Sequence, residues 1–169
     1  MSNAVAKNNG NENAEEGHQY LTFHLDDEEY GIDILRVQEI RGWEKVRPLP
    51  DTPGYILGIM SLRGEVIPVV DLRLRFGLAH REPSELTVVI IVRVDHGGES
   101  RGMGLVVDAV SEVYRIDASQ RREPPKFGGA INADMLHGVG MVDENMIFLL
   151  DLDRLVRQGV LEEAAAAQA

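Results

Sequence analysis

The sequence predicts a mainly β protein of two similar lobes that arose by internal duplication. Three observations carry this expectation. First, the chain repeats itself. Gly31-Ile-Asp-Ile-Leu-Arg-Val37-Gln-Glu39-Ile40 aligns without a gap on Gly104-Leu-Val-Val-Asp-Ala-Val110-Ser-Glu112-Val113, and Gly58 to Leu72 (GIMSLRGEVIPVVDL) aligns on Gly138 to Leu152 (GVGMVDENMIFLLDL). Second, 44% of the 169 residues are hydrophobic and only 5% aromatic, and the apolar set is mostly Val, Ile and Leu, which favours strands. Third, strand-like runs recur about every ten residues, the spacing of a small barrel or sandwich.

Element by element, residues 1–17 are polar and have almost nothing to bury, so they read as a disordered tail. Tyr20-Leu-Thr-Phe-His-Leu25 alternates as a strand, Asp26-Asp-Glu-Glu29 is a solvated turn, and Tyr30 to Ile34 returns. Ile59 to Leu62 and Glu65 to Val70 flank Arg63-Gly64, a two-residue hairpin turn that needs a positive φ at Gly64. Arg63 is then held at the tip with its guanidinium in solvent. Pro68 cannot donate to a ladder, so its strand is expected at an edge or with a bulge. Leu78 to Glu85 is the expected seam between the halves, within 78–86. Leu86 to Val94 is a strand, Asp95 to Gly98 a turn and Gly102 to Val107 its return. A short helix is expected from Asp151, capped by that aspartate, with Leu152, Leu155 and Val156 on one face. Residues 159–169 extend or fray from it.

Each lobe would have about 60–70 residues, marginal alone, so the two should share an interface; either lobe is free to borrow a strand from the other, and no clean boundary is predicted. The alignment fails at one informative place: Arg63-Gly64 becomes Asp143-Glu144.

Composition narrows function. A formal net charge of −11 argues against nucleic acid and anionic membrane partners, which need Lys and Arg to neutralise phosphate. The absence of cysteine excludes disulfides and thiolate metal sites and fits a reducing cytoplasm. No apolar run reaches the roughly 18 residues of a membrane span, and no signal peptide opens the chain.

Residues that could carry chemistry are sparse. His18, His24, His80, His96 and His137 show no metal-ligand spacing. Ser61 lacks the frame of a nucleophile elbow, and Gly102-Met-Gly104 precedes a strand rather than the helix of a dinucleotide site. No catalytic, cofactor or metal site is expected. Arg63 is either an ordinary turn residue or a partner contact, since its planar fork matches carboxylates. Glu39 has a twin in Glu112, so a fold role such as satisfying backbone donors stands beside recognition. Val37 and Leu62 read as core, or as lining of an apolar docking groove.

Glu28 to Gly42 (EEYGIDILRVQEIRG), Leu62-Arg-Gly64, Ile67 to Arg73 (IPVVDLR), Thr87 to Val92 and Gly104 to Val113 together resemble the CheW family of bacterial chemotaxis coupling proteins. The resemblance covers residues 18–158 in order. Ser61 departs from it, standing where the family commonly has Asn, and the tails are unlike the core. The resemblance implies two SH3-like five-stranded β-barrels with a hydrophobic groove between them, and short helices including one near the C-terminus. It implies a non-catalytic adaptor joining a CheA-like histidine kinase to the cytoplasmic tips of chemoreceptors, with end-to-end ring contacts to the kinase's related domain or between copies of the chain. Carried over by position, Val37, Glu39, Gly58, Leu62, Arg63, Val88, Gly104 and Val113 match places implicated in coupling. Gly58 and Gly104 also recur in the repeat or begin strands, so a fold role stands for them too. On this reading two lobes on a modest shared interface transmit motion between docked partners. The alternatives are a small-ligand sensor using the groove and an enzyme assembled from dispersed residues.

Overall fold

The structure is a computed structural model that describes residues 18–124 and 133–156; the expectations for the two tails lie outside these residues. The chain runs β1 (His18–Leu25), β2 (Glu28–Asp33), β3 (Val37–Gly42), β4 (Ile56–Leu62), β5 (Glu65–Asp71), α1 (Leu72–Arg75), β6 (Val88–His96), β7 (Glu99–Val107), β8 (Ala109–Ile116), β9 (Arg121–Arg122), β10 (Leu136–Val142), β11 (Asn145–Leu150) and α2 (Leu152–Leu155). These strands form a six-stranded sheet, β8-β1-β2-β11-β10-β9, and a five-stranded sheet, β3-β6-β7-β5-β4.

The two strand orders are the same order written in opposite copies. Replacing β3, β6, β7, β5 and β4 by their repeat partners gives β8, β1, β2, β11 and β10. Each lobe therefore takes its opening hairpin from one copy and its other repeat strands from the other copy. This corrects the position of the seam. Residues 78–86 divide the sequence copies, but in space they lie within the five-stranded lobe, which is one continuous segment, 37–107. The chain crosses between lobes at the 3-10 turn Ile34–Arg36 and at Asp108. Equivalent ladders fix the register: β2 runs parallel to β11 with Gly31 opposite Leu149, and β5 runs parallel to β7 with Gly104 opposite Val69.

The apolar runs are continuous because several strands bury both faces. In β6, Ile90, Val92 and Val94 point into a central core between the sheets, while Val89 and Ile91 point into a core inside the five-stranded lobe. In β11, Phe148 and Leu150 take the central side, and Ile147 and Leu149 join Tyr20 and Ile116 inside the other lobe. The central cluster is the largest of the three and draws on both sheets and both short helices. Tyr30 lies in it, 5.7 Å from the Phe23 ring and 5.6 Å from the rings of Phe76 and Phe148. The interface is thus not modest: the lobes share their main core.

Both helices begin as the repeat implies. Asp71 Oδ1 accepts the Leu74 N–H at 3.3 Å and Asp151 Oδ1 accepts the Arg154 N–H at 3.1 Å. Leu152, Leu155 and Val156 are buried together, as expected. Pro68 is not on an edge strand, one of the two expectations for it, since β5 is internal to its sheet. The β4–β5 ladder does carry an irregularity close by, but on the partner strand between Ile56 and Gly58. The partner of Pro68, Ile59, directs both backbone groups away from β5, to Arg47 at 3.2 and 2.8 Å. Pro68 therefore occupies a non-hydrogen-bonded pair, and the parallel ladder on its other side starts only at Val69. No ladder bond is lost.

Candidate functional site

The β4–β5 turn has a left-handed backbone at both central residues, φ 51° at Arg63 and 83° at Gly64, closed by the Leu62–Glu65 pair. A Cβ at Gly64 would meet nothing within 4 Å, so the demand for glycine is purely conformational. Asp143, at the equivalent tip, also has a positive φ, 55°. A clamp fixes the Arg63 hairpin to its neighbour: Glu65 Oε2 accepts from Arg93 Nη1 at 2.7 Å and Glu65 Oε1 accepts the Gly102 N–H at 3.2 Å. Arg93 also donates to the Ser100 hydroxyl and carbonyl, at 3.1 and 2.9 Å. The Arg93 guanidinium holds the Glu65 carboxyl below the usual carboxylate range.

At the tip, Arg63 is not simply free in solvent. Its Nη2 lies 3.6 Å from Oε1 of Glu39, with side chains 70% and 29% exposed respectively. That Glu39 oxygen is shielded from water and accepts no hydrogen bond, so Arg63 supplies its compensation through charge alone. The twin tip is built differently. Glu112 is exposed, and its backbone is tied down: Thr22 Oγ1, fully buried, donates to the Glu112 carbonyl at 2.9 Å and accepts the Glu112 N–H at 3.1 Å. The Tyr114 phenol beside it is pushed up by burial, then by Glu112, Glu29 and Asp143. One lobe thus ends in a matched ion pair and the other in acidic groups around a tyrosine. Among the described residues, neither glutamate carboxylate accepts a backbone N–H, contrary to the fold role considered for them.

The structure sorts the other singled-out residues. Gly58 has φ 154°, and a Cβ there would lie 2.0 Å from the Arg47 carbonyl oxygen; the segment that crosses β4 at Arg47 needs that gap. Gly138 repeats the arrangement under β9, with Arg122 O 2.8 Å from an added Cβ. Gly104 is buried, and a Cβ added there would lie 3.0 Å from Val89 Cγ1. Leu62 closes the core inside the five-stranded lobe. Val37 and Val88 are half-buried against the outside of the central core. Val113 lies in the other lobe on β8 and is 49% exposed, matching the exposure of its twin Ile40 on β3. Seven of the eight fall in segment 37–107, and among these described residues only Glu39 and Arg63 form an ion pair with one another.

Two inter-lobe latches escaped the sequence reading. Asp26, read as part of a solvated turn, joins Asp108 in holding Arg73, whose Nη1 lies 2.7 Å from Asp108. Arg81 adds contacts of 2.8 Å to Asp26 and 3.1 Å to Asp108. At the equivalent place in the other half, Asp153 accepts from Arg36 at 2.9 Å and from the Asp95 N–H at 3.0 Å. The signs are inverted: Arg73 answers Asp153 at the helix, and the crossover supplies Asp108 in one latch and Arg36 in the other. Opposite charge at offset positions in the alignment was the available signal. Burial and the paired carboxylates act in opposite senses on Arg73, and the carboxylates prevail, raising its pKa.

Among the described residues, no group of three or more His, Cys, Asp or Glu side chains is placed to hold a metal ion, and no helix is long and apolar enough to cross a membrane. The geometry offers surfaces and clamps rather than a cluster of reacting groups.

A family model for the CheW-like domain matches residues 19–160. The chain is 41% identical over 140 residues to the chemotaxis protein CheW of Klebsiella aerogenes, covering 83% of this chain and 82% of that one. It is 33% identical over 144 residues to protein FrzA of Myxococcus xanthus, covering 82% and 85%. Among solved structures, the scaffolding protein TtCheW from Thermoanaerobacter tengcongensis superposes with a TM-score of 0.73 at 37% identity, over 82% of this chain and 87% of that one.

Proposed function

This chain belongs to the CheW-like domain family, and from that membership we propose that it is a non-catalytic adaptor of chemotaxis signalling. In this reading it works in the cytoplasm, couples a CheA-like histidine kinase to the tips of chemoreceptors, and is recruited to membrane-associated arrays by those partners. The observation that carries the reading is the family match along residues 19–160. The asymmetric barrel ends agree with it, because partners of related shape need a feature that tells one end from the other. Arg63 offers a fixed guanidinium at one end, and Asp143 with Glu112 offers carboxylates at the other. At the lobe crossing, Leu35 is 81% exposed, with Val37 nearby in sequence at the start of β3. It provides an apolar anchor of the kind an amphipathic receptor helix uses. The shared core changes the mechanism first expected. Motion passes through this adaptor as a rigid body between docked partners, not through a hinge between its lobes.

A three-component pull-down with kinase and receptor fragment tests the assignment. Wild type should bridge the two and support kinase activation; failure to bind either partner would remove the adaptor reading.

A further inference from the structure

Asp71 and Asp151 occupy the same place in the two copies, each capping the short helix that follows its strand. Their surroundings differ in one respect. The Asp151 carboxylate meets the Arg154 guanidinium, Nε at 3.3 Å, and the His137 ring, Nδ1 at 3.5 Å. At the corresponding positions the first copy has Leu74 and Leu57. Among the described residues, no cationic side chain forms an ion pair with Asp71. Its carboxylate receives backbone N–H groups of its own helix, and Asp71 is only 6% exposed.

A buried carboxylate with no cation against it is costly. Burial pushes the Asp71 carboxyl up, and the backbone hydrogen bonds from Leu74 and Arg73, followed by the charges of His80 and Arg73, offset this only in part. Asp71 lines a cavity of about 290 Å³ whose apolar walls include Trp43, Leu57, Pro83 and Val106. That volume is at the lower edge of ligand pockets. Arg73, Arg81 and His80 line it too, but both arginines are engaged by Asp26 and Asp108, and His80 lies 3.1 Å from Glu82.

We propose that this cavity binds a small organic cation, a protonated amine with an apolar body, whose ammonium group stands against Asp71 as the Arg154 guanidinium stands against Asp151. The apolar walls take the body of the ligand, and the Trp43 indole favours both an apolar group and a cation. The inference rests on the cavity and the repeat, not on the adaptor reading.

Trp43 is the chain's one tryptophan, so its fluorescence reports occupancy. The full chain is titrated at neutral pH with benzylammonium and, as the neutral isostere, benzyl alcohol. A saturable change with benzylammonium is expected, with benzyl alcohol at least about tenfold weaker because the charge-assisted bond is missing. Asp71→Asn keeps a helix cap and should weaken amine binding about tenfold or more. Leu74→Arg places the second copy's arginine in the first copy and should weaken it likewise. No saturable change in the wild type, equal affinity for the alcohol, or wild-type amine affinity in either folded variant overturns the proposal. The Leu74→Arg measurement decides the matter if Asp71→Asn proves poorly folded by circular dichroism.

Discussion

Arg63 reaches across from the β4–β5 turn to Glu39 on β3, placing its Nη2 atom 3.6 Å from a carboxylate oxygen that is closed to water. The guanidinium remains largely exposed, so the pair orients the side chain without hiding it. An exposed pair of this kind contributes about 0–1 kcal/mol to stability.

Arg63→Glu should therefore leave the fold nearly unchanged while weakening coupling to at least one partner by roughly 1–3 kcal/mol. Thermal unfolding and the three-component pull-down measure the two effects on the same sample. A folded variant with undiminished binding and kinase activation removes Arg63 from the coupling surface; loss of folding assigns it to the scaffold.

Gly58→Ala makes the opposite prediction. The new Cβ meets the Arg47 carbonyl at a backbone angle that L residues rarely adopt, so destabilisation of roughly 3 kcal/mol or more is expected. Any loss of partner binding should follow the loss of folded protein. Denaturant titration checks it, and a variant as stable as wild type with impaired coupling would make Gly58 a contact residue instead.

The latch at Arg73 should be far more sensitive than its neighbour. Arg73 is buried against Asp26 and Asp108, so Arg73→Ala leaves two carboxylates with only Arg81 and should cost roughly 3 kcal/mol. Arg81 is more than half exposed, and Arg81→Ala should cost less than about 1 kcal/mol. Equal effects in urea unfolding would show that the latch is not set by burial.

The acidic limb of the stability profile should carry two opposing signatures. Hydrogen bonding to Arg73 lowers the Asp26 pKa, and Arg93 lowers that of Glu65. Their contributions are present above the unfolded carboxylate range and vanish as pH falls through their depressed folded values. Asp71 is raised, so its contribution is present below the unfolded value and is lost as pH rises through the folded one. Asp71→Asn should therefore stabilise the protein at neutral pH, with the gain fading in acid. Melting temperatures across the acid range test this, and an unchanged neutral value would show that the Asp71 charge is already compensated.

Much of the frame was legible in the chain. The ungapped repeat indicated two similar lobes, the two-residue spacing at Arg63-Gly64 located the tight turn, and Asp151 announced the last helix. These are local properties: period, turn chemistry and caps act over a few residues, and sequence displays them directly. Glu39 and Arg63 were both singled out, but their contact was not, because it joins an edge strand to a distant hairpin.

What the sequence by itself determined is the β architecture, its duplication and the family to which the chain belongs. Only the tertiary structure decided which copy pairs with which. A repeat records similarity between strands but not their neighbours, so it allowed for a shared interface and a borrowed strand but did not show which hairpins are exchanged, how large the common core is, or which charges meet in the latches. The same holds for Asp71: the alignment shows it beside Leu57 and Leu74, but burial makes the missing cation matter, because a charge is costly only where water cannot reach it.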